Sequence, residues 1–270
     1  LLIQVSVFLL IACIPAYLTQ RMSYVDIAWP FGLVSIGVLS FFYGEGHITR
    51  KIIISLIYII AGLRMGLGAL ILLKKGYLNK ELPRYQYQRI RWKKAGFFND
   101  KFSIQYEILF QCFANSTFLL FPALLISNNN NDYISAFEII GCIVWISFFV
   151  LEHIADLQKQ RFLVKSKKQK LKNQVCNIGL WKYTRHPNYF SEWMLWNSLI
   201  ILGLLSLNSY NFENTILIGI VIFLIYTSFL MYRTLVFLTG AIPSEHYSEQ
   251  KRPFYKKYKE STSRFFPKIF

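Results

Sequence analysis

A chain of 270 residues that is 54% hydrophobic and only 16% charged, with mean hydropathy +0.35, has more apolar surface than one soluble core can hide, so a bilayer must solvate it. The net charge of +16 is compatible with nucleic acid, but the basic residues are divided among loops between apolar runs and no nucleic-acid-binding module is present. Anionic lipid headgroups or an anionic cofactor are the expected partners instead, and the scattered Cys13, Cys112, Cys142 and Cys176, without a C-x-x-C pair, predict neither a disulfide framework nor a zinc or other metal site.

Runs of roughly 20 apolar residues predict spans at 1–19, 29–45, 52–73, 105–127, 133–153, 188–207 and 215–238. The expected fold is all-α, a polytopic transmembrane bundle of about seven helices forming a single integral membrane domain, 1–270. The first span lacks a basic leader and Tyr17–Met22 is a poor cleavage site, so it is expected to be retained as a helix. Lys and Arg orient the bundle, because cytoplasmic loops keep positive charge. Arg50 and Lys51 fall on one side, Arg64 and Arg233 within spans, and every other basic residue on the opposite side. That places the N-terminus outside and the C-terminus in the cytoplasm, in a bacterial inner membrane or the endoplasmic reticulum.

In chain order, Asp26 opens the second span, either as a first-turn acid favoured by the helix dipole or as a pocket residue. Gly62-x-x-x-Gly66-x-Gly68 in the third span predicts close helix packing, since no strand precedes it to make a phosphate loop. Arg64 lies too deep to snorkel easily and is expected to face an interior cavity or a carboxylate such as Asp26 or Glu192. The connection 74–104 is long, basic and aromatic. Asn115-Ser116-Thr117 matches a glycosylation sequon but falls inside the fourth span, where it has no meaning as one.

Near the end of the fifth span Glu152, Asp156 and Gln160 recur every fourth residue, with His153 and Arg161 beside them, so one helical face carries acceptors and donors. This face is either a solvated helix end or one wall of a polar pocket. The other wall would come from the segment 179–193, Gly-Leu-Trp-Lys-Tyr-Thr-Arg-His-Pro-Asn-Tyr-Phe-Ser-Glu-Trp. There Pro187 suits the first turn of a helix, and Asn188 and Glu192 stand four apart on one face, with Tyr183, Arg185 and His186 just before them. Carboxylates and amides suit ribose hydroxyls or a carboxamide, and Arg and Lys suit phosphates, so such a pocket would fit a nucleotide. Arg233 at the end of the seventh span can snorkel or meet a phosphate. Arg252, Tyr255 and Tyr258 in the tail can rest on headgroups.

The segment 179–192, together with Ala155-Asp156-Leu-Gln-Lys, Val25-Asp26-Ile-Ala-Trp29 and Tyr255-x-x-Tyr258-x-x-x-Thr262-Ser263-x-Phe-x-Pro267, resembles the steroid 5α-reductase-like superfamily, in particular its bacterial branch of poorly characterised membrane proteins. The resemblance implies a membrane enzyme that binds NADPH in a cytoplasm-facing cavity and reduces a carbon–carbon double bond in a lipid or steroid-like substrate. The cofactor-binding part would be 105–270. Asn188 and Glu192 would lie at the nicotinamide end, with Glu192 holding the carboxamide, Asp156 at the adenosine, and Tyr183 and Arg185 along the phosphates. Glu152, Gln160, Arg161, His186, Tyr189, Arg233, Tyr255 and Tyr258 complete the expected cofactor set, and Glu192, Asp26 and Arg64 the catalytic one. Hydride addition to an α,β-unsaturated carbonyl needs a donor for the developing enolate; no Tyr stands at the matching place near the front of the chain, and Ser191 replaces a usual Gly. The Arg185-His186-Pro187-x-Tyr189 core also resembles membrane methyltransferases of the isoprenylcysteine carboxyl and phospholipid types, which implies S-adenosylmethionine as the alternative cofactor. A lipophilic small molecule is the expected substrate in either case.

Overall fold

The computed structural model describes residues 1–268. Helix α1 (Leu2–Thr19) leads through a short 3-10 turn to α2 (Val25–Tyr43), followed by α3 (Ile48–Lys74), the short α4 (Pro83–Lys94) and α5 (Asp100–Ser127). Next come the long α6 (Ala136–Lys168), α7 (Pro187–Ser206), α8 (Asn214–Arg233), α9 (Ala241–Lys251) and α10 (Tyr255–Ser261). Among the described residues seven stretches are long and apolar enough to cross a membrane, so the chain is a multi-pass helical membrane protein. Each of the seven overlaps a stretch expected from hydropathy. The second begins earlier, at Met22, because the 3-10 turn runs directly into α2, and the fifth runs on to Lys168 as one helix beyond its apolar part.

Two compact units form. The first holds Leu1–Ser135 and Leu202–Thr227; the second holds Ala136–Ile201 and the chain from Ser228. Residues 105–127 therefore pack in the first unit, whereas the Asp156 and Asn188 regions belong to the second.

In the first unit α2 packs against α3 through the glycines of α3. A Cβ on Gly62 would sit 2.6 Å from the Pro30 carbonyl oxygen, so only glycine permits this approach there, while one on Gly66 would meet the Phe31 ring at 3.0 Å and require the ring to give way. Gly68 faces open space and takes no part. The π-helical turn Asn115–Leu119 in α5 is held from two sides: Tyr58 donates its hydroxyl to the Leu119 carbonyl, and Asn115, fully buried, donates Nδ2 to the Trp29 carbonyl at 3.1 Å. A buried amide with that role is no sequon.

The connection after α3 docks on the start of α2. Glu81 accepts from the Met22 and Ser23 backbone N–H groups at 2.8 and 3.1 Å, satisfying donors that a helix start leaves open. Asp26, in the first turn of α2, accepts from the Arg84 guanidinium and the Tyr85 hydroxyl. Its place in the fold is thus the first-turn acid, paired with the basic helix α4. Burial, followed by the Asp26 charge, pushes the Tyr85 phenol well above its ordinary value.

Candidate active site

The second unit is built around the turn that joins α6 to α7. Gly179 has φ +52°, in the left-handed region, and a Cβ there would fall 2.5 Å from the Gln158 side chain. That close approach lets Gln158 Oε1 accept from the Leu180 N–H at 2.9 Å. Trp181, 5% exposed, donates Nε1 to the Ala155 carbonyl at 2.9 Å and carries Lys159 Nζ over its ring at 4.1 Å. Pro187 then starts α7, with Phe190 N–H bonded to the His186 carbonyl at 3.0 Å.

Residues 263–268 return to this turn. Thr184 donates to the carbonyl oxygens of Arg264 and Phe265, and Arg185 N–H donates to the Ser263 carbonyl at 2.9 Å. Arg185, 6% exposed, gives Nε to Glu245 at 2.8 Å and Nη1 to the carbonyls of Lys259 and Thr262 at 2.9 and 2.6 Å. Glu245, 3% exposed, also takes His186 Nε2 at 3.1 Å and Arg264 Nε at 3.2 Å. One carboxylate thus gathers the start of α7, helix α9 and the tail. Burial, with the nearby Lys159 and Arg185 charges, lowers the His186 imidazole, while its hydrogen bond to Glu245 opposes that shift.

Beside this clamp lies a polar cavity of about 290 Å³. The structure brings together in its wall seven residues that the sequence marks for a cofactor: Asp156, Arg185, His186, Asn188, Tyr189, Tyr255 and Tyr258. Asn188 Nδ2 donates to Asp156 Oδ1 at 3.2 Å, which joins the two walls expected of the pocket. Asn188 Oδ1 is buried and, among the described residues, has no partner. The Tyr258 hydroxyl donates to the Trp181 carbonyl, and burial raises the phenols of both Tyr255 and Tyr258.

Other marked residues lie elsewhere. Glu152 is buried one turn before Asp156, and Gln160 and Arg161 are exposed further along α6. Glu192 is half-buried one turn after Asn188, Tyr183 is half-exposed at an apolar cavity, and Arg233 is exposed with its guanidinium 6.0 Å from the Phe229 ring centre. Asp26 and the half-buried Arg64 belong to the first unit. The four cysteines are free thiols; Cys176 lines the polar cavity, where burial raises its thiol and the Lys159 charge opposes that shift.

Two cations besides Arg185 face the cavity: Lys159, to which the sequence gives no role, and Arg252, expected there only at headgroups. Lys159 is three residues beyond Asp156, and Ser244, Ser248 and Arg252 follow at four-residue spacing, with Arg252 Nη1 on Ser248 Oγ at 2.6 Å. The spacing of these last three was legible as one helical face. The arrangement offers an amide oxygen, a carboxylate, hydroxyls, indole and phenol rings, and, besides the committed Arg185, two cations in one recess, a donor set suited to a nucleotide.

The family described as protein of unknown function (DUF1295) matches residues 13–262. An uncharacterized protein of Schizosaccharomyces pombe is 24% identical over 275 residues, covering 93% of this chain and 74% of that protein. No solved structure matches.

Proposed function

The chain belongs to the DUF1295 family, and we propose that it is a membrane-embedded reductase that uses NADPH to reduce a carbon–carbon double bond in a lipid or steroid-like substrate, as its resemblance to the steroid 5α-reductase-like superfamily implies. The observation that carries this reading is Asn188. Its Oδ1 is buried in the wall of the polar cavity without a donor among the described residues, while its Nδ2 is held by Asp156 at 3.2 Å. An unsatisfied buried acceptor costs about 1–3 kcal/mol, and a ligand bearing an amide N–H or a sugar hydroxyl removes that cost. NADPH offers both, and when bound it supplies a hydride.

The residues of this chain divide the work of holding it. Asp156 fixes the Asn188 amide so that its oxygen points at one ligand group. Lys159 and Arg252 offer positive charge to phosphates, one as a point charge and the other as a fork. Arg185 has its guanidinium committed to Glu245 and two carbonyls, so its part is to shape the recess. Burial favours the neutral form of His186, which then serves to orient its neighbours rather than to supply charge. Glu192, one turn beyond Asn188, is retained as the partner for a carboxamide. The cavity volume of about 290 Å³ is at the lower end for ligand sites and fits one end of a dinucleotide. The same volume favours the second reading, a methyltransferase, because a smaller nucleoside cofactor such as S-adenosylmethionine fills less space.

Calorimetric titration of the detergent-purified protein with NADPH, NADH and S-adenosylmethionine tests the assignment. Selective NADPH binding that weakens at least about tenfold in Asn188→Ala and Glu192→Gln, a loss of about 1.4 kcal/mol, is the expected result. Binding of S-adenosylmethionine alone, or unchanged NADPH affinity in both variants, would overturn it.

A further inference from the structure

A second recess in the same unit, of about 300 Å³, differs in chemistry from the polar cavity. Its walls are Phe148 and Leu151 of α6, Leu180 from the turn, Pro187 and Phe190 of α7, and Pro267 of the returning tail. Among the described residues no charged side chain lines it. Two hydroxyl groups do, besides the phenol of the half-exposed Tyr183. The Thr184 hydroxyl is occupied by the carbonyls of Arg264 and Phe265 at 3.1 and 2.9 Å. Ser191 is 3% exposed, and among the described residues its hydroxyl has no hydrogen-bond partner, although serines elsewhere in the same helix, Ser198 and Ser206, bond back to helix carbonyls at 2.7 and 3.0 Å.

A hydroxyl without a protein partner in an apolar wall has a hydrogen bond to offer, and a ligand oxygen placed against it in the recess makes that bond. A carboxylate or phosphate placed in the same recess would lose its hydration with no cation to compensate. We propose that this recess binds an uncharged long-chain lipid that carries one hydroxyl or carbonyl oxygen, with the oxygen on Ser191 and the hydrocarbon against Phe148, Leu151 and Phe190. The ligand reaches it from the bilayer, since Phe148 and Leu151 lie in a helix apolar enough to cross the membrane. Binding here does not depend on the reaction assigned to the polar cavity.

The test uses the full-length protein in nanodiscs and a tetradecanone bearing a chain diazirine, with 1-tetradecanol, 2-tetradecanone, tetradecanoate and tetradecane as competitors. Photolysis is expected to label the peptides containing residues 148–151 and 187–191. The alcohol and the ketone should compete about 2- to 10-fold better than the alkane, the worth of one hydrogen bond, and the carboxylate worse than either. Ser191→Ala should erase the advantage of alcohol and ketone over alkane, and Leu151→Trp should fill the recess and abolish labelling, with unfolding temperatures showing that both variants are folded. Labelling elsewhere, equal competition by tetradecane, or an unchanged preference in Ser191→Ala overturns the proposal. NADPH titration of the same samples, read separately, keeps a failure of the reductase reading distinct from a failure here.

Discussion

Replacing Glu245 by Ala is expected to unlock the second unit. Its carboxylate, 3% exposed, is the acceptor for Arg185 at 2.8 Å, His186 at 3.1 Å and Arg264 at 3.2 Å. Without it the Arg185 guanidinium, itself 6% exposed, stays buried with only two carbonyl oxygens as partners. Breaking a buried pair in this way costs about 3–5 kcal/mol, and the surviving carbonyl bonds place the expectation near the lower bound. At about 2–4 °C per kcal/mol for a chain of this size, the unfolding temperature should fall by about 6–12 °C. Thermal unfolding of the purified protein in detergent, followed by tryptophan fluorescence, measures this, with Trp181 and Trp193 both in the affected unit. The loss should persist at high salt, because a buried pair is poorly screened. Arg185→Met combined with Glu245→Leu should cost less than Glu245→Ala alone, since it removes both charges together. A shift under about 2 °C, or one that disappears at high salt, would refute the clamp, because an exposed pair is worth only about 0–1 kcal/mol.

Further outcomes follow from the same unit. His186 has a lowered folded value against an unfolded one of 6.5; the unfolded chain binds the extra proton, so stability is full above pH 6.5 and is lost as pH falls below it. His186→Gln should therefore flatten the decline in unfolding temperature between pH 7.5 and 5.5, and parallel wild-type and variant curves would contradict the shift. Gly179→Ala forces a side chain to φ +52° and into the Gln158 amide, for an expected loss of about 1–3 kcal/mol in the same thermal assay; a neutral result would mean that the turn relaxes. Under the reductase reading, Lys159→Gln or Arg252→Gln should each weaken NADPH about 10- to 100-fold, the range for a charge-assisted hydrogen bond, with a shallower dependence on salt. Titration at 0.05 and 0.5 M salt reads this, and equal slopes in wild type and variants would remove both residues from the phosphate role.

What the sequence discloses about this protein is what a helix repeats locally. Seven apolar runs, the glycines at 62 and 66, Pro187 at a helix start, and the four-residue steps from Asp156 to Gln160 and from Asn188 to Glu192 follow from period and length alone. The direct bond between Asp156 and Asn188, 32 residues apart, goes beyond that: the sequence offers them at most as two walls of one pocket, and the resemblance sets one at the adenosine and the other at the nicotinamide end of a cofactor, whereas at 3.2 Å they share one end. Arg185 shows where this reasoning stops. By type and position it reads as a phosphate ligand, but residues 259–265 return beneath the turn and claim its guanidinium and backbone, and no periodicity announces a returning tail. Glu245 escapes for the same reason: it is one of two acids in a weakly amphipathic helix, and its burial follows from two arginines and a histidine that come from two distant segments. Under the reductase reading the displaced role falls to Lys159 and Arg252. Each lies on a helix face whose spacing was readable, three residues past Asp156 and four past Ser248, so the missing information was which cations the tail had already consumed.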